Sequence, residues 1–175
     1  MKVENRNIKY PRIEMRTGEV RFILPMNMNH HPIMDKYQSW INDKTQDIEK
    51  ALKHSAKLKL NSRTQQKLKQ IILNIIDKYS DEYGVVVNRI ILRDLNSKWA
   101  SCSSVGNLTF NKLLSGLPDH HIEYIVFHEL MHLIERKHSA KYWSLVSKKF
   151  KDYKKIEEEL ISYWFLINKN RKGIK

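Results

Sequence analysis

A chain of 175 residues can close one hydrophobic core and carry a small appendage. Its 41% hydrophobic and 29% charged residues are the balance of a globular protein and exclude a fibrous or disordered chain, and with only 5 glycines and 4 prolines there is little material for long linkers. No apolar run approaches the roughly 20 residues of a membrane helix, the opening MKVENRNIKYPRIEMR lacks the apolar centre of a secretory signal, and the single cysteine, Cys102, cannot form an internal disulfide, so the expected setting is a reducing cytoplasm without a membrane. The net charge of +13 admits two readings: a surface that attracts polyanions such as nucleic acid, or a lysine-rich face kept soluble by self-repulsion.

In chain order the elements are those of an α+β protein. Residues 12–25, RIEMRTGEVRFILP, alternate apolar and polar on both sides of Thr17-Gly18, which predicts a β-hairpin. From Ile33 to about Lys57, Ile33, Tyr37, Trp40, Ile41, Ile48 and Leu52 recur near helical spacing. A second helix is expected from an N-cap at Asn61-Ser62 to Tyr83, with Gly84 ending it and Leu68, Ile71, Ile72, Ile75 and Ile76 facing the core. Residues 85–95, VVVNRIILRDL, form a β-branched strand. Residues 97–114 read as two strands turning at Val105-Gly106-Asn107. Helices follow over about 118–135, 139–150 and 151–168, and NKNRKGIK closes the chain as a basic tail.

The chemistry concentrates in HELMHLIERKHSAKYW, residues 128–143. Positions i and i+4 of a helix share a face one turn apart, so His128 and His132 can aim two imidazoles at one ion. Glu129 sits beside that ion without having to bind it, where a carboxylate can take a proton from a metal-activated water. This is the physical content of HExxH. The helix around it, IEYIVFHELMHLI, is apolar on nearly every side and is expected to be buried. Two histidines and a glutamate in such a place need partners or a metal, and zinc supplies both needs. A catalytic zinc usually takes a third protein ligand. Two candidates compete on the residues alone: His138, six residues after His132, and the cluster Glu157-Glu158-Glu159 on a later helix. The six-residue spacing also occurs in metzincins, but Glu135 stands where those carry glycine and no methionine follows Met131, so the chain is not one of them.

Three blocks, RDLNSKWASCSSVGNLTFN (93–111), HELMHL (128–133) and HSAKYW (138–143), together resemble the YgjP-like metallopeptidases, relatives of the SprT-like and WLM-type zinc proteases. That family shows a K-S-[RK]-W-G-S-C-S pattern, a G-N-[LI]-T-x-N hairpin, HExxH and an H-S-x-x-[FY]-W block, in this order. The N-terminal hairpin, Pro25 and a helix with Trp40 are similar as well. The chain departs from the pattern at Ala100, where the family has glycine, and at Glu135-Arg136-Lys137, where relatives carry proline and asparagine. The resemblance implies a single zincin-like metalloprotease domain over 1–175, with a small antiparallel sheet and an HExxH helix: an N-terminal hairpin-and-helix lobe (1–57), the core (58–168) and a tail (169–175). It implies Zn2+ as cofactor, His128, His132 and His138 as its ligands, Glu129 as general base, and a peptide or protein substrate. It also places the hairpin beside the site, so Asn107, Leu108, Thr109 and Phe110 are expected to hold an extended substrate by main-chain pairing.

Relatives of this kind include proteases that act on proteins attached to DNA. The chain itself shows no zinc ribbon, helix-turn-helix or basic block interleaved with aromatics, so the expectation is weak, sequence-independent nucleic-acid binding at most. Trp99, Tyr142 and Trp143 are expected to pack around the site, Cys102 to be a buried small residue, and His121 to be a surface histidine beside Asp119. His30, His31 and His54 have no ligand spacing to the motif.

Overall fold

The computed structural model describes residues 2–16, 19–28 and 31–172. The chain divides into two compact units: Met1–Leu58 with Trp164–Lys175, and Lys59–Tyr163. The first unit holds strands β1 (Lys2–Arg6), β2 (Arg12–Arg16) and β3 (Glu19–Pro25) and helix α1 (His31–Ser55). Strands β2 and β3 pair antiparallel from Arg12↔Ile23 to Arg16↔Glu19, as the alternation of 12–25 required; Thr17 and Gly18 lie outside the described residues. Strand β1 was not announced by the sequence. It lies parallel along the other edge of β3, Lys2↔Arg21 to Arg6↔Pro25, and the Glu4 carboxylate accepts from Arg6 at 2.5 Å and Arg21 at 3.3 Å. Phe22, Ile23 and Leu24 are all buried, so both faces of β3 are covered. On α1 Ile48 is buried as expected, together with Ala51, whereas Leu52 and Trp40, expected on the same face, are exposed. The side chains of Ile33, Tyr37 and Ile41 are outside the description.

The second unit opens with α2 (Gln65–Tyr83), capped by Thr64, whose hydroxyl accepts from the Lys67 N–H at 3.2 Å. The cap is therefore Thr64 and not Asn61-Ser62. Asn61 is engaged elsewhere: its N–H donates to the Gly116 carbonyl at 2.9 Å and its amide to Leu117 at 3.3 Å, while Arg63 donates to Leu117 and, at 2.5 Å, to Asp119. This segment thus ties the start of α2 to the turn preceding the next long helix. Gly84 ends α2 at φ 64°, its N–H returning to the Ser80 carbonyl, a left-handed cap that glycine adopts without strain. Leu68, Ile72, Ile76 and Tyr79 form the buried stripe; Ile71 and Ile75 are half-buried beside it.

Strands β4 (Arg89–Arg93), β5 (Ala100–Cys102) and β6 (Asn107–Asn111) form a mixed sheet in the order β4-β6-β5. The β5–β6 pair is antiparallel, as expected of 97–114, but β4 runs parallel to β6. One expectation fails here. The main chain of Asn107, Leu108, Thr109 and Phe110 faces β4 on one side and β5 on the other, so β6 is the central strand and has no edge for a substrate. Among the described residues the free edge on this side is that of β5.

A 3-10 turn, Lys112–Gly116, leads to α3 (Asp119–Met131), α4 (Ala140–Lys149) and α5 (Tyr153–Lys172). Helix α3 is buried at Ile122, Tyr124, Ile125, Val126, Phe127, Leu130 and Met131, on most of its circumference, as its apolar composition dictates. Tyr79 of α2 packs edge-on against Phe127, with ring centroids 4.9 Å apart, and its hydroxyl donates to Glu123 at 2.6 Å. Among the described residues no helix is long and apolar enough to cross a membrane.

Candidate metal centre

His128, His132 and His138 each direct a ring nitrogen to one place, all within 4.8 Å of one another. His128 lies in the last turn of α3, and His132 is the residue capping it, still right-handed at φ −68° and ψ −14°; the helix needs to run no further than this for the i, i+4 pair to converge. The chain then leaves the helix through Ile134–Lys137 and returns His138 just before the α4 cap, Ser139, whose hydroxyl accepts from the Tyr142 N–H at 3.3 Å. The Nε2 atoms of His138 and His128 are 3.0 Å apart.

The surroundings fix these rings. His132 Nδ1 lies 3.2 Å from the Glu135 carbonyl, which leaves Nε2 to point at the common centre, the arrangement that orients metal-ligating histidines. Tyr142, fully buried, stacks on His132 at 4.7 Å and donates its hydroxyl to the His128 carbonyl at 3.0 Å. Trp143 stacks on His138 at 5.4 Å, and Tyr153 stacks on Trp143 at 4.9 Å. Tyr142 thus packs around the site as expected, with Trp143 half-buried beside it and Trp99 also half-buried.

Burial keeps the ligand candidates His128 and His132 neutral. Burial first, then the neighbouring His132 and His138, hold His128 down at about 3, so it stays neutral, as a ligand must. Burial likewise lowers His132, against the pull of its Glu135 carbonyl contact. Glu129, 7% exposed, is pushed up to about 7 by burial, with the Lys98 charge and the Cys102 N–H pulling the other way. A donor set of three neutral imidazole nitrogens suits zinc, which binds such nitrogens at about 2.0–2.1 Å.

Of the residues singled out in the sequence, the structure brings His128, His132 and His138 together, with Glu129 buried next to His128 in the chain. Glu157 lies to one side, its carboxylate accepting from the Tyr124 hydroxyl at 2.9 Å; Glu158 is exposed, and Glu159 lies 3.0 Å from His121. His121 is no surface residue: it is 1% exposed, and burial together with His120 drives it below the usual histidine range, against the opposing Glu159. Cys102 is half-buried rather than buried; burial raises its thiol, with Glu129 adding to the shift and Arg136 opposing it.

Two positioning residues, Arg136 and Asn111, escaped the sequence reading, while a third, Gly106, sits in the expected turn. Arg136 donates to the carbonyls of Ser103 and Ser104, each at 2.6 Å, and so staples the segment before His138 to the β5–β6 turn. Asn111, fully buried, donates to the carbonyls of Leu95 and Lys98 at 2.8 and 2.9 Å, fixing the loop that brings Lys98 near Glu129. Gly106 turns the hairpin at φ 78°, with Leu133 just beyond α3 at 3.6 Å from where a Cβ would stand. Arg136 lay in a segment marked only as a departure from the family pattern, while Asn111 was visible as the last residue of GNLTFN.

The solved structures similar to this chain include the metallopeptidase zymogen of Pyrococcus abyssi abylysin, 26% identical with a TM-score of 0.48 over 52% of this chain and 92% of that one. They also include the metallopeptidase zymogen of Methanocaldococcus jannaschii jannalysin, 25% identical with a TM-score of 0.45 over 54% and 93%. No curated protein matches. The description "YgjP-like, metallopeptidase domain" matches residues 48–163, about two thirds of the sequence, and this span contains all three histidines and Glu129. The chain belongs to the YgjP-like family of metallopeptidases.

Proposed function

We propose that the chain is a zinc-dependent peptidase in which His128, His132 and His138 hold the metal and Glu129 is the general base. The observation that carries this reading is the convergence of three ring nitrogens beside a buried carboxylate one residue from the first ligand. When bound there, zinc would polarise the scissile carbonyl and lower the pKa of water toward neutral. Glu129 takes the proton from the attacking water and delivers it to the leaving amine. Burial raises its carboxyl in the metal-free protein, which favours a group that can pass a proton on rather than hold a fixed charge. The aromatic rings of Tyr142 and Trp143 hold the imidazoles in place, so little reorganisation is left for the reaction step.

The substrate is a peptide in extended form, and the strand that takes it is β5. Trp99 and Ser103 turn their main-chain groups to β6; with a period of two, Ala100 and Cys102 turn theirs away from it. The Cys102 N–H donates to Glu129, so this edge runs past the general base, and the Ala100 main chain is what it offers for pairing. Added-strand pairing of this kind tolerates many side chains. The single half-buried thiol suits a cytoplasmic setting.

Zinc content of purified variants tests the ligand set. Wild type should carry zinc at this centre, and His128→Ala, His132→Ala and His138→Ala should each lose most of it. Retention by His138→Ala, with loss on changing Glu157, Glu158 or Glu159, would move the third ligand to α5.

A further inference from the structure

Helix α3 begins with a second histidine cluster that the peptidase reading does not use. His120 and His121 are consecutive, and on a helix consecutive side chains normally diverge by about 100°. Here their ring centroids are 4.0 Å apart and inclined at 46°. His121 is buried, with neither ring nitrogen making a hydrogen bond. Glu159 of α5 reaches toward it, one carboxylate oxygen 3.0 Å from Nε2, but off the line a hydrogen bond needs. One ligand atom from each of His120, His121 and Glu159 lies within 4.8 Å of the other two. A buried imidazole without a well-aligned partner is costly.

A short, off-axis N···O contact has a simple explanation. Two ligands of a tetrahedral zinc, each about 2.0–2.1 Å from the ion, stand about 3.3 Å apart, and neither lies on the other's donor axis. We propose that His120, His121 and Glu159 form a second metal site, for a divalent transition ion of the zinc class, which clamps the first turn of α3 to α5. The donor set is two imidazoles and a carboxylate, suited to zinc, cobalt or nickel rather than to calcium or magnesium. Exposed His120 can swing to close the remaining distance and leaves one side open to water. The site is structural. His121 and His128 are seven residues apart on one helix, about 10 Å along its axis, whereas cooperating catalytic metals lie about 3.5–4 Å apart.

The test is a calorimetric zinc titration of apoprotein, repeated on His120→Ala and Glu159→Gln. Neither residue is fully buried, so both variants should fold, as circular dichroism would verify. Wild type should bind two equivalents, the second weaker than the first and raising the melting temperature. Each variant should lose the second equivalent, or bind it at least about tenfold more weakly, and keep the first unchanged. Loss of the first equivalent in His128→Ala, with the second retained, would assign the two sites separately, whatever the catalytic outcome. Binding of a single equivalent by wild type, or a second equivalent untouched in both variants, would overturn the proposal and reduce the cluster to an ion pair.

Discussion

The two ends of helix α3 carry histidine clusters of opposite legibility. At the C-terminal end, His128 and His132 stand one turn apart, and the helical period alone puts them on one face. At the N-terminal end, His120 and His121 are neighbours in sequence, which argues against a shared target, and their third partner, Glu159, arrives from α5. The difference teaches that a site written into one helix can be read from spacing, while a site assembled by packing two helices cannot. The surroundings differ in the same sense. The rings at the C-terminal end are oriented by the Glu135 carbonyl, Tyr142 and Trp143, whereas His121 at the other end has Tyr163 edge-on at 5.0 Å and no hydrogen bond.

If the two clusters differ in role, restoring zinc to apoprotein will separate them. Removing metal should lower peptide hydrolysis by a factor of about 100 or more, and activity should return with the first equivalent added. Activity that recovered only with a second equivalent would show that the N-terminal cluster participates in the chemistry.

The substrate strand gives the next largest effect. Ala100 on β5 turns its N–H away from the ladder, so proline there breaks no sheet hydrogen bond; because the residue is buried, circular dichroism must first verify that the variant folds. Ala100→Pro removes one N–H from the proposed pairing and should lower kcat/KM by about tenfold, the equivalent of one hydrogen bond of roughly 1.4 kcal/mol, with zinc content unchanged. Unchanged kinetics would place the substrate elsewhere.

The expectation that Asn107–Phe110 would bind substrate failed for a physical reason visible at particular residues. In LTFN the apolar and polar residues alternate, which reads as a strand with one wet face. Yet Leu108, Thr109, Phe110 and Asn111 are all buried, and Asn111 satisfies its amide on the carbonyls of Leu95 and Lys98. A polar residue satisfied by a distant loop counterfeits a solvent-facing one. Strand order was hidden similarly, since β4 passes over its sequence neighbour β5 to pair with β6, a non-local choice. By contrast the hairpin of 12–25, the end of α2 at Gly84, the start of α4 near residue 139 and the burial of α3 were legible, because each rests on a local period or a single residue's backbone preference. His138 was legible through the H-S-A-K-Y-W block and not through helical spacing, because a turn separates it from α3.

That turn supplies a smaller test. Arg136→Ala releases the two bonds to Ser103 and Ser104 and frees the arm carrying His138. Zinc affinity at the C-terminal centre should fall by about tenfold, measured by competition with a chelator, while the N-terminal cluster is unaffected. An unchanged affinity would show that Trp143 alone holds His138. The smallest effect concerns the net charge of +13. Binding to DNA should be detectable at low salt and disappear near physiological salt as counterions are released. Tight binding that persisted in high salt would instead mark a built nucleic-acid surface.

The measurement that bears most directly on the peptidase account is hydrolysis of a peptide library by Glu129→Gln at zinc occupancy matched to wild type. The substitution keeps size and shape and removes the group that takes the proton. The account predicts retained zinc and a rate lower by a factor of about 100 or more. A zinc-loaded Glu129→Gln protein that cleaved peptides as fast as wild type would contradict it.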